Sequence, residues 1–576
     1  MEYTIRVGGE AGQGLVSIGS VLSKMLSRSG FHVFAHQDYM SRIRGGHNFY
    51  QIRFADFPVT ASREKIDVLL ALDMDTVDMH RQDLNTGGVI IYDAAALDSP
   101  LSGQEFFDVP FARITEEKNA DRIMASSVAV GVVLGLFDLD IDLFARIIES
   151  TMRKKGEEVI AKNIEVAQAG IDYVKKNYAD SNSHKVVRPM TKDQMLINGN
   201  QAIGLGALLS GCKFYTAYPM SPSTSIMEYL AHNAPKYGLI VEQAEDEIAA
   251  INMALGASYG GVRAMTATSG GGFALMTEGL SLAGITETPI VIAEVQRPGP
   301  ATGLPTRTEQ GDLFFVLHGG HGEFARVILA PGTPEEAFYL TNKAFHLADK
   351  YQIPVIIQSD QYLADSEWTF PDFDTEDLHN EDFRLRHQAL QEMSSYKRYA
   401  LTDTGVSPMA IPGASRHLVA VDSDEHDEDG HIIEDAATRI AMVEKRFHKK
   451  MPLIRQEIAP PAYIGHQQAV AVLVGYGSTS GVLQEVCSHL AEKYRIGMLH
   501  FNEVWPFPLL EKFDYLTLLK QAALTICIEN NATGQFASLM RMETGFEFTV
   551  HINKYDGRPF LVDTLLGEIN EYLQRL

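Results

Sequence analysis

Apolar residues in this chain fall into short runs bounded by glycine, proline or charge, and these alternate with stretches of helical period. EYTIRV precedes a glycine loop and a helical stretch, and DVLLALD and GVIIYD follow as further apolar runs. Runs of this kind predict the strands of an α/β domain. A helical pattern extends from Asp142 to Asn177, after which the period is lost in ADSNSHKVVRPMTKDQ, which contains Pro189. That stretch predicts a linker. A second block opens with the helix GNQAIGLGALLSGC and the strand KFYTAYP, then alternates IVIAEV, ARVILA and VIIQSD with helices such as Thr333 to Asp349. Alternation of that kind predicts a parallel sheet. The pattern then dissolves into acidic, proline-bearing sequence including DSDEHDEDGH, read as a solvated loop ahead of metal binding, before AVAVLVGYG opens a third α/β block. The expected organisation is an α/β domain over 1–178, a linker over 179–193, a second α/β domain over 194–370, an excursion and linker over 371–464, and a third α/β domain over 465–576.

A chain of 576 residues is too long for one hydrophobic core, which agrees with several domains. Its net charge of -25 argues against a nucleic-acid-binding surface and for a cytoplasmic protein whose cationic spots are local. The longest apolar stretch, near Ala129 to Phe137, is far short of a bilayer span, so no membrane anchor is expected. MEYTIRVGG lacks the layout of a signal peptide, so export is not expected. Only Cys212, Cys487 and Cys527 occur, far apart and in no CxxC pair, so neither a disulfide framework nor a cysteine-ligated cluster is expected in this chain.

Several loops carry candidate chemistry. GGEAGQG, Gly8 to Gly14, joins a strand to a helix start, where backbone N–H groups around Gly12 and Gly14 suit a phosphate; a glycine turn needed only for tight packing is the alternative. Its spacing is not GxGxxG, which disfavours nicotinamide binding. SRIRGGHN sets Arg42 and Arg44 beside Gly45 and Gly46, a pattern for a phosphate or carboxylate or equally a plain surface loop. TAYPMSPSTSIMEYL follows a strand, at the edge where open α/β sheets bind ligands, and Pro219 and Pro222 stiffen the turn around Ser221. Ser223 or Thr224 could equally be an N-cap. In VEQAEDEIAAINMALGASYGG, Glu245, Ile248, Ala249 and Asn252 fall on one helical face, which makes Glu245 the carboxylate expected to point inward, with helix N-terminal charge complementation as the bland alternative. MTATSGGGFALM gives a glycine-rich strand-to-helix turn. EVQRPGPATGLPTRTEQGDL holds Arg297 and Arg307 in a stiff loop suited to carboxylates or a CoA phosphate, or to salt bridges within an acidic protein.

In this order, YPMSPS, the QAE helix, TATSGGG and the RPG…PTRTEQGD loop resemble the alpha subunit of the 2-oxoacid:ferredoxin oxidoreductases, and within that family the 2-oxoglutarate enzymes are the most similar. The resemblance covers nearly the whole chain. It implies a gamma-type domain over 1–178 fused ahead of the alpha part, a thiamine-diphosphate pyrimidine-binding-type domain over 194–370, and a transketolase-C-like domain over 465–576, where GYGSTSG, NEVWPFP, IENNATGQF and KYDGRPF match the usual landmarks. It gives Glu245 the contact with N1' of the thiamine aminopyrimidine, with Tyr218, Pro219 and Ser221 beside the cofactor and Gly12 and Gly14 as further cofactor-binding positions. Ser221 stands where the family's YPITPSS motif has threonine, which keeps a hydroxyl for substrate or catalysis. Arg297, Arg307 and Arg44 are the implied carboxylate or CoA contacts.

Thiamine enzymes hold the diphosphate through Mg2+ with a GDG sequence followed by NN. This chain has no GDG, so Asn530-Asn531 does not complete that motif. The resemblance therefore implies a beta subunit that brings the diphosphate site, Mg2+ and a 4Fe-4S cluster, in an alpha2beta2 heterotetramer inactive without both chains. The implied reaction is reversible oxidative decarboxylation of 2-oxoglutarate, with CoA as co-substrate, to succinyl-CoA and CO2. Electrons pass to ferredoxin, which is expected to dock mainly on the beta chain because this one is so acidic. The alternatives are pyruvate or another 2-oxoacid, an ordinary transketolase or dehydrogenase E1 component, which the N-terminal domain and the RPG…PTRTEQGD loop speak against, and a non-enzymatic nucleotide-binding protein in which Glu245 is structural.

Overall fold

The structure, a computed structural model, describes residues 1–41, 45–97, 100–180, 182, 184–189 and 194–576. It divides into two compact units. The first comprises Met1–Ile197, Ser366–Asp372 and Leu561–Ile569, and the second Asn198–Asp365, Phe373–Phe560 and Asn570–Leu576. Among the described residues no helix is long and apolar enough to cross a membrane.

The first unit is built on an eight-stranded mixed sheet whose central strand, Glu2–Ala11, pairs antiparallel with Gly45–Ala55 and parallel with Ile66–Ala71. Ile5 sits opposite Ile52 on one side and Val68 on the other, and all three are buried. The helix Ala125–Phe137 is apolar all round and packs on Glu157–Asn177, so it lies wholly inside, as the absence of any polar stripe requires. Two distant segments complete the unit. Glu367–Phe370 adds a strand beside His32–Asp38, and in the returning C-terminal segment Asp563 accepts from Arg63 Nη2 at 2.6 Å. Gly12 and Gly14 stand in the turn before the helix Leu15–Arg28, with φ of 99° and 85°. Arg42 and Arg44 lie outside the described residues.

In the second unit a seven-stranded sheet runs in the order Glu503–Trp505, Val327–Leu329, Pro354–Asp360, Ile290–Gln296, Arg263–Thr268, Cys212–Ala217, Ile240–Gln243. Every ladder is parallel except that of Glu503–Trp505. The two strands Pro354–Asp360 and Ile290–Gln296 are buried at every position, as strands with both faces covered must be. Glu503–Trp505 comes from the C-terminal block, whose own five-stranded sheet consists of Ala462–Gly465, Ile496–Phe501, Ala471–Tyr476, Leu524–Glu529 and Val550–Asn553. One continuous core joins the two sheets, with Ile292 and Ile356 in the same apolar mass as Val474, Phe501 and Phe536.

The stretch after residue 373 has little regular structure but is firmly anchored. Glu287, which ends the helix Gly270–Thr286 in a left-handed conformation (φ 50°), is buried and ion-paired to the buried Lys445 and Lys450. The acidic run keeps Ser423, Asp424, Asp429 and His431 exposed, as expected of a solvated loop, but is anchored at two points. His426 is fully buried, its ring 3.9 Å from that of Tyr399, and Glu425 pairs with Arg446 at 2.7 Å, because the run folds back over the cationic turn Glu444–Lys449. The cysteines are free and buried.

Candidate functional site

The carboxyl ends of the parallel strands in the second unit carry the loops that the sequence singled out. Tyr218 to Ser223 follows Cys212–Ala217, Ala244 to Asp246 follows Ile240–Gln243, Ser269 follows Arg263–Thr268, and Arg297 follows Ile290–Gln296. Ligands of open α/β sheets sit at this edge because the loops there converge from several strands.

The inward-pointing carboxylate is Glu247, a correction to the expectation that placed it at Glu245. The strand ends at Gln243, Asp246 caps the next helix by accepting from Ala249 N at 2.7 Å, and Glu247 is the first residue of the helix Glu247–Tyr259. Its buried face is Glu247, Ala250, Ile251, Ala254, Leu255 and Ser258, whereas Glu245, Ile248 and Asn252 are exposed. The sequence carried the signal. An aspartate three residues before Ala249 is an N-cap, and phasing the helix from it puts Glu247 on the apolar stripe. Glu247 is 3% exposed and its Oε1 has no hydrogen-bond partner. Burial raises its pKa, the Asp246 charge adds to the rise, and Arg297 opposes it.

The glycine-rich turn explains how this carboxyl fits. A Cβ at Gly272 would lie 2.0 Å from Thr268 Oγ1 and 2.5 Å from Glu247 Oε1, and one at Gly270 would lie 2.2 Å from Asp312 Oδ2. Only glycine leaves room for both acids. Asp312 stands against Glu294, which is fully buried. Burial pushes Asp312 up to about 6, and burial together with the Asp312 charge pushes Glu294 well above the carboxylate range. The strand-to-helix turn thus has acidic groups whose pKa values burial raises on two sides.

Ser221 and Arg297 are brought together: Arg297 Nη1 donates to the Ser221 carbonyl at 2.6 Å, while its Nε is buried without a partner. The loop before Ser221 is seated on the glycine-rich turn, where Ser269 Oγ donates to the Met220 sulfur at 2.8 Å. Tyr218 is 40% exposed at the strand end, and Pro219 is half-buried beside it. Arg307 takes a different place. It is buried, with its Cβ 3.2 Å from where a Cβ on Gly557 would be, and the loop carrying it is tied to the C-terminal block. Gln310 makes that tie: its N–H donates to Asn530 O at 2.6 Å, its Nε2 to Tyr476 O at 2.9 Å, and its Oε1 accepts from Asn530 N at 3.0 Å. Asn531 Nδ2 donates to Gln310 O at 3.2 Å, so the asparagine pair makes protein contacts here. Gln310 and Asp312 went unread in the sequence, since nothing local distinguishes a residue that pairs with a strand end far along the chain.

A sheet edge with a buried carboxylate at a helix start and a glycine-rich turn opposite defines an α/β cofactor-binding domain. Residues 205–445 match the family model described as Pyruvate flavodoxin/ferredoxin oxidoreductase, thiamine diP-bdg, and residues 4–173 match Pyruvate ferredoxin/flavodoxin oxidoreductase. The chain is 32% identical to the 2-oxoacid:ferredoxin oxidoreductase subunit alpha of a Sulfolobus species, over 97% of this chain and 95% of the relative. It is 31% identical to the 2-oxoglutarate synthase subunit KorA of Methanothermobacter thermautotrophicus, over 66% of this chain and 98% of that one. A solved structure of 2-oxoglutarate:ferredoxin oxidoreductase from Magnetococcus marinus with 2-oxoglutarate, coenzyme A and succinyl-CoA bound superposes with a TM-score of 0.91 at 32% identity, covering 99% of both chains. The chain belongs to the 2-oxoacid:ferredoxin oxidoreductase family as an alpha-type, thiamine-diphosphate-binding subunit.

Proposed function

We propose that the chain is the alpha subunit of a CoA-acylating 2-oxoglutarate:ferredoxin oxidoreductase, with Glu247 as the carboxyl that addresses the aminopyrimidine of thiamine diphosphate. The observation that carries this is the buried, unpartnered Oε1 of Glu247 at the strand edge. An acid there needs a partner, and a ring nitrogen of the cofactor is one that a neutral carboxyl can donate to. Thiamine diphosphate, when bound, supplies the electron sink that decarboxylation of a 2-oxoacid requires. Burial raises the pKa of Glu247, which favours the proton-bearing form that such a contact uses. Arg297, with a free Nε and a hydrogen bond to the Ser221 carbonyl, orients the substrate carboxylate, and Ser221 and Tyr218 line the approach. Arg307 contacts the second carboxylate or CoA from the loop fixed by Gln310. The gamma-type domain keeps Gly12 and Gly14 as a phosphate-binding turn. A beta subunit brings the diphosphate site, Mg2+ and a 4Fe-4S cluster and receives ferredoxin, and the two chains assemble as alpha2beta2 in the cytoplasm. The names of the KorA and Magnetococcus relatives support 2-oxoglutarate over pyruvate.

The test is CoA-dependent reduction of ferredoxin or a viologen by the anaerobically co-expressed alpha–beta complex, with 2-oxoglutarate and pyruvate compared. Preference for 2-oxoglutarate, lost in Glu247→Gln and kept in Glu245→Gln, is the expected outcome. Preference for pyruvate overturns the substrate, and an active Glu247→Gln complex overturns the catalytic carboxyl.

A further inference from the structure

We propose that His346, His379 and Glu381 form a binding site for a divalent transition-metal ion of the zinc type. One ligand atom from each of the three residues lies within 4.8 Å of the others. His346 Nδ1 is 3.3 Å from Glu381 Oε2, His379 Nδ1 is 4.0 Å from Glu381 Oε1, and the two imidazole centroids are 4.5 Å apart. A tetrahedral ion with bonds of about 2.0–2.1 Å sets its ligands about 3.3 Å apart, so the first pair already stands at coordination spacing and the second needs a small side-chain rotation. Two imidazoles and one carboxylate with a position left for water are a donor set that zinc accepts.

An independent observation points to a ligand here. His346 is 8% exposed and its Nδ1 faces the Glu381 carboxylate at 3.3 Å without well-formed hydrogen-bond geometry, so that a cation between the two would satisfy both.

The surroundings are arranged in advance. His346 projects from the helix Pro334–Tyr351, one turn beyond Asn342. Asn342 grips the peptide of His379 from both sides, with Nδ2 donating to His379 O at 3.2 Å and Oδ1 accepting from His379 N at 2.8 Å. Arg263 Nη2 fixes the Glu381 carbonyl at 2.9 Å. Both ligands on the irregular segment are therefore held at the backbone without a metal, as outer-shell partners do in built sites. The charges also suit a cation. Lys343 and Lys350 are neutralised by Glu503 and Glu457 at 2.7 and 2.6 Å, whereas among the described residues the ion pairs of Glu381 are with the two imidazoles alone. A cavity of about 400 Å3 lined by His346 and His379 gives access. An ion here fastens the irregular segment to the helix. None of its ligands belongs to the strand-edge site, so the inference is independent of the proposed function.

The test is titration of the untagged full-length chain, freed of metal by chelator and dialysis, with Zn2+ by calorimetry, alongside thermal unfolding with and without Zn2+. Saturable one-to-one binding that raises the unfolding temperature is expected. His379→Ala and Glu381→Ala, whose side chains are 54% and 58% exposed and so expendable for folding, should each weaken binding by about 100-fold or more and abolish the thermal shift. The exposed His318→Ala should titrate like the parent. Absence of one-to-one binding in the parent, or a His379→Ala/Glu381→Ala chain that binds as tightly, overturns the site.

Discussion

Gly272 lies so close to Glu247 that a Cβ on the glycine would stand 2.5 Å from the Glu247 Oε1. The same Cβ would stand 2.0 Å from Thr268 Oγ1, so an added methyl presses on both side chains. Gly272→Ala should therefore displace the carboxyl while leaving the sheet intact. A displacement near 1 Å lowers kcat/KM by about 100-fold. Gly271→Ala is the control, since its nearest neighbour is Ala301 O at 3.9 Å. Steady-state kinetics of the two variants in the alpha–beta complex separate the cases, and equal activity would mean that the position of Glu247 is not critical.

What could be read from the chain follows a physical line. Strand identity and the strand-edge loops came through because buried parallel strands are continuous apolar runs and glycine or proline punctuates their ends. The phase of the helix after Gln243 did not, since two residues of register move Glu245 and Glu247 between water and the interior, and only the Asp246 cap fixes the register. Partners remote in sequence were invisible. The strand Glu503–Trp505 joins the sheet of another block, and Arg307 is packed by Gly557. Such pairings are decided by tertiary packing, which local pattern does not encode.

The acid pair Glu294 and Asp312 gives the second unit a pH signature. Burial raises Asp312 from 3.8 to about 6, and Glu294 is raised as well. A group whose folded pKa lies above its unfolded one stabilises fully below the unfolded pKa, and that stabilisation is lost as pH rises through the folded pKa. The contribution of Asp312 to stability should thus decline from about pH 4 through pH 6, by an amount on the order of 2 kcal/mol. Asp312→Asn removes the titrating group and should flatten the decline, as unfolding temperatures measured across this range will show. An unchanged slope in that variant would assign the decline to other groups.

The Glu287 carboxylate pairs with both Lys445 and Lys450, and all three are buried. Arg398 also donates to its backbone carbonyl, at 2.7 Å. Glu287→Gln leaves two ammonium groups without their counter-charge inside the protein, which costs about 3–5 kcal/mol. The unfolding temperature should drop by several degrees, and the drop should shrink when Lys445→Met is added, because the second change removes one of the stranded charges. Additive losses in the double variant would show that the pair is not coupled.

The Gln310 side-chain amide joins the Arg307 loop to both Tyr476 and Asn530. Gln310→Ala orphans the buried Asn530 N–H, at a cost of about 1–3 kcal/mol, and leaves the Tyr476 carbonyl with the Thr479 hydroxyl as its side-chain donor. Some of that is recovered if the loop opens to water, so the variant should trade stability for local motion. Hydrogen exchange should accelerate over residues 304–312 more than over the strand Ala471–Tyr476, which keeps its ladder on both sides. The kinetic counterpart is a KM for 2-oxoacid or CoA that rises more than kcat falls, since the substitution loosens a binding loop and leaves Glu247 in place. Unchanged exchange in the loop together with a lower unfolding temperature would mean that the Gly557 side, through its 3.4 Å bond from Thr308 N, holds the loop by itself.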